Sequence, residues 1–371
     1  MPRLQEFISL IESWYPPHLA EDWDKIGLQV GNSKANLKKV FLTLDITEPA
    51  VKESIQQKAN LIISHHPLIF NPIISLPESE SHTKIISLLL KKKISVYVAH
   101  TNLDFSPGGT CHSLAEELKL KNIRGLSLVY EARYKKLVTF VPKSHLEKVA
   151  KAMFEAGAGV IGDYSQCSFR LEGQGTFRGS ESSNPYLGKA GQLETARETR
   201  LEVLVSEDKV NRVVYAMKSA HPYEEVAYDI YTLENPHPKA SKGVIGELPK
   251  VTTLDRWAKL VKSQLRLKGL RIIGKLNRKI RRVAIVTGSG SDFIQDAVRE
   301  KCDALITGDM KYHQALNALN LGLAILDIGH YHSEARYMPV LAKRLTKEFK
   351  KLDWKIPVVV SQTGSDPFRF I

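Results

Sequence analysis

Four times in this chain a short apolar run stops on a histidine or an aspartate. The clearest case is Leu61-Ile62-Ile63-Ser64, which gives way to His65-His66-Pro67. The run 94–99 stops at His100-Thr101-Asn102-Leu103-Asp104, the run 304–307 at Gly308-Asp309-Met310-Lys311-Tyr312-His313, and the run 323–328 at Gly329-His330-Tyr331-His332-Ser333-Glu334. Short runs without polar alternation suit strands buried on both faces. Helical segments alternate with them. One opens at Thr47-Glu48-Pro49, with threonine as N-cap and an acid and a proline in the first turn. Another covers 82–93 and ends in three lysines, which suits the negative end of its dipole. Strand and helix in alternation predict an α/β fold with a parallel sheet, and such a sheet keeps its ligands beyond the carboxyl ends of its strands. Pro67 lacks an N–H, so the backbone must turn directly after the histidine doublet. Side chains alternate sides along a strand, so adjacent histidines can face one spot only at such a bend.

Around residue 127 the rhythm changes. A strand over 136–141, a helix over 144–155 and a polar strand region over 168–179, read as a hairpin, come first. A loop over 180–199, a strand over 200–205, a helix over 209–218 and a strand over 226–232 follow. The order β-α-β, β-α-β is that of a ferredoxin-like domain. Asn235-Pro236-His237-Pro238 reads as its exit linker. Past residue 240 the α/β rhythm returns, with a helix over 254–267 and a buried strand over 283–286. The glycine-rich Thr287-Gly288-Ser289-Gly290 behind it is explained as well by a tight turn as by phosphate binding. A last helix from about 330 toward 350 should be kinked by Pro339. The expected organisation is 1–127, 128–238 and 239–371.

At 371 residues the chain is long enough for two or three domains. The formal net charge of +13 raises nucleic acid as a partner, but the basic residues are spread out, and the clusters Lys91-Lys92-Lys93 and Arg278 to Arg282 are short. A lysine-rich surface is the better account, and nucleic-acid binding is possible but unsupported. Three scattered cysteines form no CxxC pair and suit a reducing cytoplasm. No stretch is long and apolar enough to span a bilayer, and no signal-peptide pattern opens the chain, so no membrane partner is expected.

The strand ends collect His65, His66, His100, Asp104, Asp309, His313, His330, His332 and Glu334. Any one of them alone is more ordinary as polar loop. Gathered on the same kind of edge, a His/Asp/Glu set without cysteine suits zinc, manganese, iron or a similar divalent ion. His330 and Glu334 are four apart and share a helix face. Adjacent histidines are awkward around one ion but natural if each serves a different ion and a carboxylate bridges the two, a recurrent hydrolytic arrangement.

The set Ser64-His65-His66-Pro67, Thr101-Asn102-Leu103-Asp104, Gly308-Asp309-Met310-Lys311-Tyr312-His313 and Gly329-His330-x-x-x-Glu334 closely resembles the dinuclear-metal proteins known as GTP cyclohydrolase I type 2 homologues, the NGG-interacting-factor-three-like family. The resemblance runs from Trp23-Asp24 to Asp366-Pro367-Phe368. It implies that His65, Asp104 and Glu334 hold one ion and that His66, His330 and Glu334 hold the other. It also implies a split α/β metal-binding domain with an inserted α+β ferredoxin-like domain, because longer bacterial members carry such an insert. His221-Pro222-Tyr223-Glu224-Glu225 resembles the CutA/PII-like trimeric fold. A ring-shaped homohexamer is implied in the same way. Lys25 stands where the family often has Asn, and Thr287-Gly288 where it often has Gly-Gly; neither is expected to touch the five ligands, and only details of the substrate pocket depend on them.

The activity implied is hydrolytic opening of the GTP purine ring at C8. His100, Asp309 or His313 would shuttle protons, and Lys311 would meet a phosphate of a nucleotide or small phosphorylated substrate. A phosphoesterase with the same two ions, and a metal-binding regulatory protein without turnover, are the alternatives.

Overall fold

The computed structural model describes residues 1–131, 134–162, 164–234 and 239–369. The chain forms two compact units, one of Met1–Tyr130 with Ala240–Ile371 and one of Glu131–Lys239. The first unit opens with β1 (Gly27–Val30), β2 (Val40–Thr43), β3 (Leu61–Ser64), β4 (Ser95–Val98) and β5 (Lys121–Glu131). The second holds β6 (Tyr134–Pro142), β7 (Ser168–Arg178), β8 (Leu193–Ser206) and β9 (Tyr228–Thr232). The return to the first unit supplies β10 (Lys239–Thr253), β11 (Arg271–Ile273), β12 (Lys279–Ser289), β13 (Ala304–Gly308), β14 (Ala324–Asp327) and β15 (Val358–Val360). The expected exit linker, residues 235–238, lies outside the described residues.

Two sheets build the first unit. One has the order β1-β4-β3-β2-β15, with β15, β2, β3 and β4 parallel and β1 antiparallel at the edge. Every residue of β2, β3 and β4 is buried, which is why these strands read as unbroken apolar runs. Val40, Leu42, Leu61 and Ile63 pack under helices Leu4–Trp14 and Tyr337–Lys351. The alternate residues Phe41, Ile62, Val96 and Val98 pack under Glu48–Gln56 and Ser81–Lys91. The expected cap of the first of these helices is present, since the Thr47 hydroxyl accepts from the Ala50 N–H. The register Thr43–Ser64–Val98 brings the carboxyl ends of β2, β3 and β4 level.

The other sheet has the order β11-β14-β13-β12-β10-β5, with β12, β13 and β14 parallel at its centre. Trp257 and Val261 of helix Leu254–Gln264 cover one face, against Ile285, Ile306 and Leu326. Ile294, Ala297 and Ala318 cover the other. Two expectations need correction. The glycine-rich segment after residue 286 is not itself a tight turn, because β12 continues through Thr287 and Gly288 to Ser289, which pairs with Gly308. The last helix is not kinked at Pro339. It is two helices, His330–Glu334 and Tyr337–Lys351, and the break places Pro339 in a first turn, where its missing N–H is harmless.

In the second unit the order β7-β8-β6-β9 is antiparallel throughout, and helices Leu146–Glu155 and Val210–Ala220 cover one face. Connection and order are those of a ferredoxin-like α+β fold. The hairpin expected within 168–179 is instead one strand, β7, whose partner β8 starts at Leu193 rather than at 200. Glu194, Arg197 and Glu198 disguise that start, because Ala196 and Thr199 alone are buried between residues 193 and 199. Among the described residues no helix is long and apolar enough to cross a membrane.

Candidate metal centre

The carboxyl ends of β3, β4, β12, β13 and β14 supply the site, and each turn is shaped locally. The Ser64 hydroxyl at the end of β3 donates to the His66 carbonyl (2.9 Å), and the Thr43 hydroxyl at the end of β2 donates to the Asp45 carbonyl (2.9 Å). The bend after Ser64 lets both imidazoles of the doublet face one spot, with ring centroids 5.1 Å apart. Gly329, at φ +83°, starts the helix that carries His330 and Glu334.

Each imidazole is fixed through its Nδ1. His65, with no exposed surface, donates Nδ1–H to the Ala99 carbonyl (3.0 Å). His66 donates to Asp45 (2.6 Å) and His330 to Asp309 (2.7 Å). In the neutral imidazoles those acceptors set the tautomers, so all three Nε2 atoms turn lone pairs inward. His65 Nε2 then lies 3.6 Å from Asp104 Oδ1 and 3.6 Å from Glu334 Oε1. His66 Nε2 and His330 Nε2 lie 3.1 Å apart, each 3.1 Å from Glu334 Oε2. These are two trios of acceptors joined by one carboxylate. Each trio is a set of donors that could hold a cation. His65 Nε2 and Glu334 Oε2 are buried and have no hydrogen-bond partner, which is unusual unless an ion serves them. The donor set of nitrogen and oxygen, without sulfur, fits a divalent transition ion.

Protons feel the same field. Burial works against charged imidazoles here, but Asp45 and Glu334 push His66 up to about 10, and Glu334 with Asp309 pushes His330 up to about 9. Burial also opposes ionisation of Glu334, yet the surrounding histidines hold it well below the usual carboxylate range. Asp104 is raised by burial. Its Oδ1 accepts from the Thr110 hydroxyl, and the Thr287 hydroxyl stands 3.4 Å away. Thr287 thus touches a residue of the buried trio, whereas sequence placed it apart from the ligands. Gly288 is required beside it. At φ +65°, an added Cβ would stand 2.4 Å from Glu334 Oε1.

The structure therefore brings His65, His66, Asp104, His330 and Glu334 together. His100 joins them at the rim, its ring 5.1 Å from that of His65 and 5.6 Å from that of His66. Its Nδ1 donates to Asp24 (2.8 Å), whose other oxygen accepts from the Thr101 N–H (3.0 Å) and hydroxyl (2.6 Å). Burial opposes it, but these bonds hold Asp24 down at about 2. Asp309 stands behind His330. His313 and Lys311 are exposed at the start of helix Tyr312–Asn320, and neither enters the cluster. His332 turns to Asp366 (3.1 Å). Sequence reasoning missed Asp45; Asp24, just before Gly27 and Gly31, reads in sequence as turn and cap chemistry, but its carboxylate serves His100. The strand-end rule that found the histidines would have found Asp45, two residues beyond Thr43, which pairs with Ser64.

Comparison with known proteins follows the same lines. The Duf34/NIF3 (NGG1p interacting factor 3) family profile matches residues 2–367. A protein of Halalkalibacterium halodurans named GTP cyclohydrolase 1 type 2 homolog is 40% identical over 367 residues, covering 99% of this chain and 98% of its own. Its namesake in Bacillus subtilis is 38% identical with the same coverage. The crystal structure of a Bacillus cereus protein related to NIF3 superposes with TM-score 0.87 at 43% identity, over 100% of this chain and 99% of that one.

Proposed function

The chain belongs to the Duf34/NIF3 family, and from that premise we propose a dinuclear metal-dependent hydrolase acting on a nucleotide. GTP ring opening is the reaction that the name of its relatives points to. The observation that carries the proposal is Glu334, whose two oxygens face two separate trios from a position with 2% of its surface exposed. His65, Asp104 and Glu334 would hold one divalent ion, and His66, His330 and Glu334 a second. Zinc, manganese and iron suit these donors. Bound there, such ions supply Lewis-acid polarisation and a nucleophile at neutral pH. Asp45, Asp309 and the Ala99 carbonyl fix the tautomers that the trios need. His100 belongs to neither trio, is backed by Asp24, and faces the cluster from the rim. It is the group in this chain best placed to take and return a proton.

The test is turnover by the metal-loaded full chain with GTP and with a panel of phosphoesters, against Glu334→Ala. Ring-opened nucleotide is the expected product. Phosphate release instead would move the protein to the phosphoesterases, and no turnover above the control would end the hydrolase proposal. A homohexameric ring in the cytoplasm belongs to the same proposal, and light scattering checks the assembly.

A second reading, a metal-binding regulatory protein without turnover, draws on one observation. The inserted unit has a cavity of about 700 Å³ of its own, lined by Phe140, Phe177, Tyr186, Tyr223, Glu198 and Arg200 among others. That volume is ample for a small effector.

A further inference from the structure

Large aromatic side chains exposed one at a time need no explanation. Two that touch each other at the rim of a polar cluster do. Trp23 is 53% exposed and Phe70 47% exposed, with ring centroids 6.0 Å apart. Trp23 also meets His100 edge to face at 6.0 Å, and His100 is the ring next to both His65 and His66. An unbroken row of rings therefore leads from solvent to the site.

Both aromatics stand on anchored backbone. Trp23 lies in the turn closed by the Asp24 N–H to the Glu21 carbonyl (2.9 Å). The Asp24 carboxylate accepts from the Lys25 N–H (2.7 Å) and from His100 and Thr101, while the Glu21 N–H donates to the Thr101 hydroxyl (2.9 Å). The turn is stitched to the end of β4. Phe70 follows Ile69, whose N–H and carbonyl are both taken by the Gln29 amide of β1 (2.8 and 2.9 Å). Neither anchor comes from the aromatic itself, so the backbone under each ring is fixed independently of the ring, and about half of each residue stays open to solvent. Little ordering is left to be done on binding. An exposed indole beside a second ring is a surface on which a flat heterocycle stacks, whichever hydrogen bonds its edge makes.

We infer that Trp23 and Phe70 form the stacking platform for the purine base of a free nucleotide, with the base edge directed over His100 toward the metal trios. This rests on the nucleotide reading above and adds the residues that position the ring. It assigns the base to the aromatic side of the site and gives the phosphates no part in that contact.

The metal-loaded full chain is titrated by calorimetry with GTP, guanosine and tripolyphosphate, as wild type, Trp23→Ala and Trp23→Phe. Trp23→Ala should bind GTP and guanosine about 5- to 100-fold more weakly. Trp23→Phe should recover most of that loss. Tripolyphosphate binding and metal content should be unchanged in both, which excludes a damaged fold. Unchanged GTP binding by Trp23→Ala overturns the platform, as does equal weakening of GTP and tripolyphosphate. If the wild type turns GTP over while Trp23→Ala binds it normally, the platform falls and the hydrolase stands. If guanosine binds through Trp23 and nothing is turned over, the hydrolase falls and the platform stands.

Discussion

A single methyl group at Gly288 should separate the two halves of the metal centre. The ideal Cβ of Gly288→Ala lies 2.4 Å from Glu334 Oε1, where ordinary contact begins at 3.4 Å, so the carboxylate must retreat by about 1 Å. Glu334 is buried and cannot swing into solvent. The displaced oxygen is the one facing His65 and Asp104, whereas Oε2 faces His66 and His330. An alanine at φ +65° costs about 1–2 kcal/mol wherever it occurs. The specific effect is on the ligand. Misplacing a group that orients a ligand typically lowers metal affinity about 10- to 100-fold, and moving the ligand itself should do at least as much. Metal per chain is measured by elemental analysis after dialysis against graded chelator. Gly288→Ala should lose the buried ion at chelator strengths that leave it in the wild type. Gly322→Ala is the control. It too has positive φ, +71°, but its nearest neighbour would be Arg278 Nη1 at 4.0 Å, so it should lose stability and keep its metal. Wild-type retention by Gly288→Ala, or equal loss from Gly322→Ala, would refute the reasoning.

Three further outcomes follow from the geometry. Asp45→Asn removes the anion behind His66 Nδ1 and should weaken the outer trio about 10- to 100-fold in equilibrium dialysis, with the buried trio unaffected. In chelator-treated protein His66 and His330 are raised to about 10 and about 9 from an ordinary 6.5. Their folded values exceed their unfolded ones, so this stabilisation is complete below about pH 6.5 and is lost as pH rises through 9 to 10. The melting temperature of the apo protein should therefore fall across that window, while metal-loaded protein, which needs the deprotonated imidazoles, should be favoured over apo by the same rise; an apo melting temperature that stays level would contradict the assignment. Asp24→Asn leaves both trios intact and removes the charge that orients His100, so kcat should drop about 10- to 100-fold with metal content unchanged, the scale of general acid–base effects being ~10²–10⁴; parallel loss of metal would show Asp24 to be a support of the trios instead.

The strands that carry the site were legible because burial on both faces removes polar alternation, and β3, β4, β13 and β14 stop abruptly on histidine or aspartate. The order of the inserted unit was legible for a related reason, the clean helical spacing of Leu146, Val149 and Met153 between strands. What stayed hidden depends on partners distant in the chain. Asp24 does close a local turn, as its sequence suggests, but its carboxylate is used by His100, 76 residues away. Asp45 was masked by the helix signal of Thr47-Glu48-Pro49 directly after it. β10, with Gly243, Gly246 and Pro249, looks like loop and becomes strand because β12 and β5 flank it. His313 shares the motif of its neighbours in the sequence, yet the helix it begins turns its ring toward Tyr312 and solvent. Residue type at a strand end marks an edge; the direction of the next turn decides who meets there.

The two trios also differ in how they meet the outside. His65, Asp104 and Glu334 are all buried, while His66 and His330 are partly open to solvent. If each trio takes an ion, the outer one faces solvent and the inner one does not, so a chelator reaches the outer ion first and the inner one more slowly. Stripping would then pause at a half-loaded protein, and a preparation holding one ion per chain would record its history of handling rather than the capacity of the site.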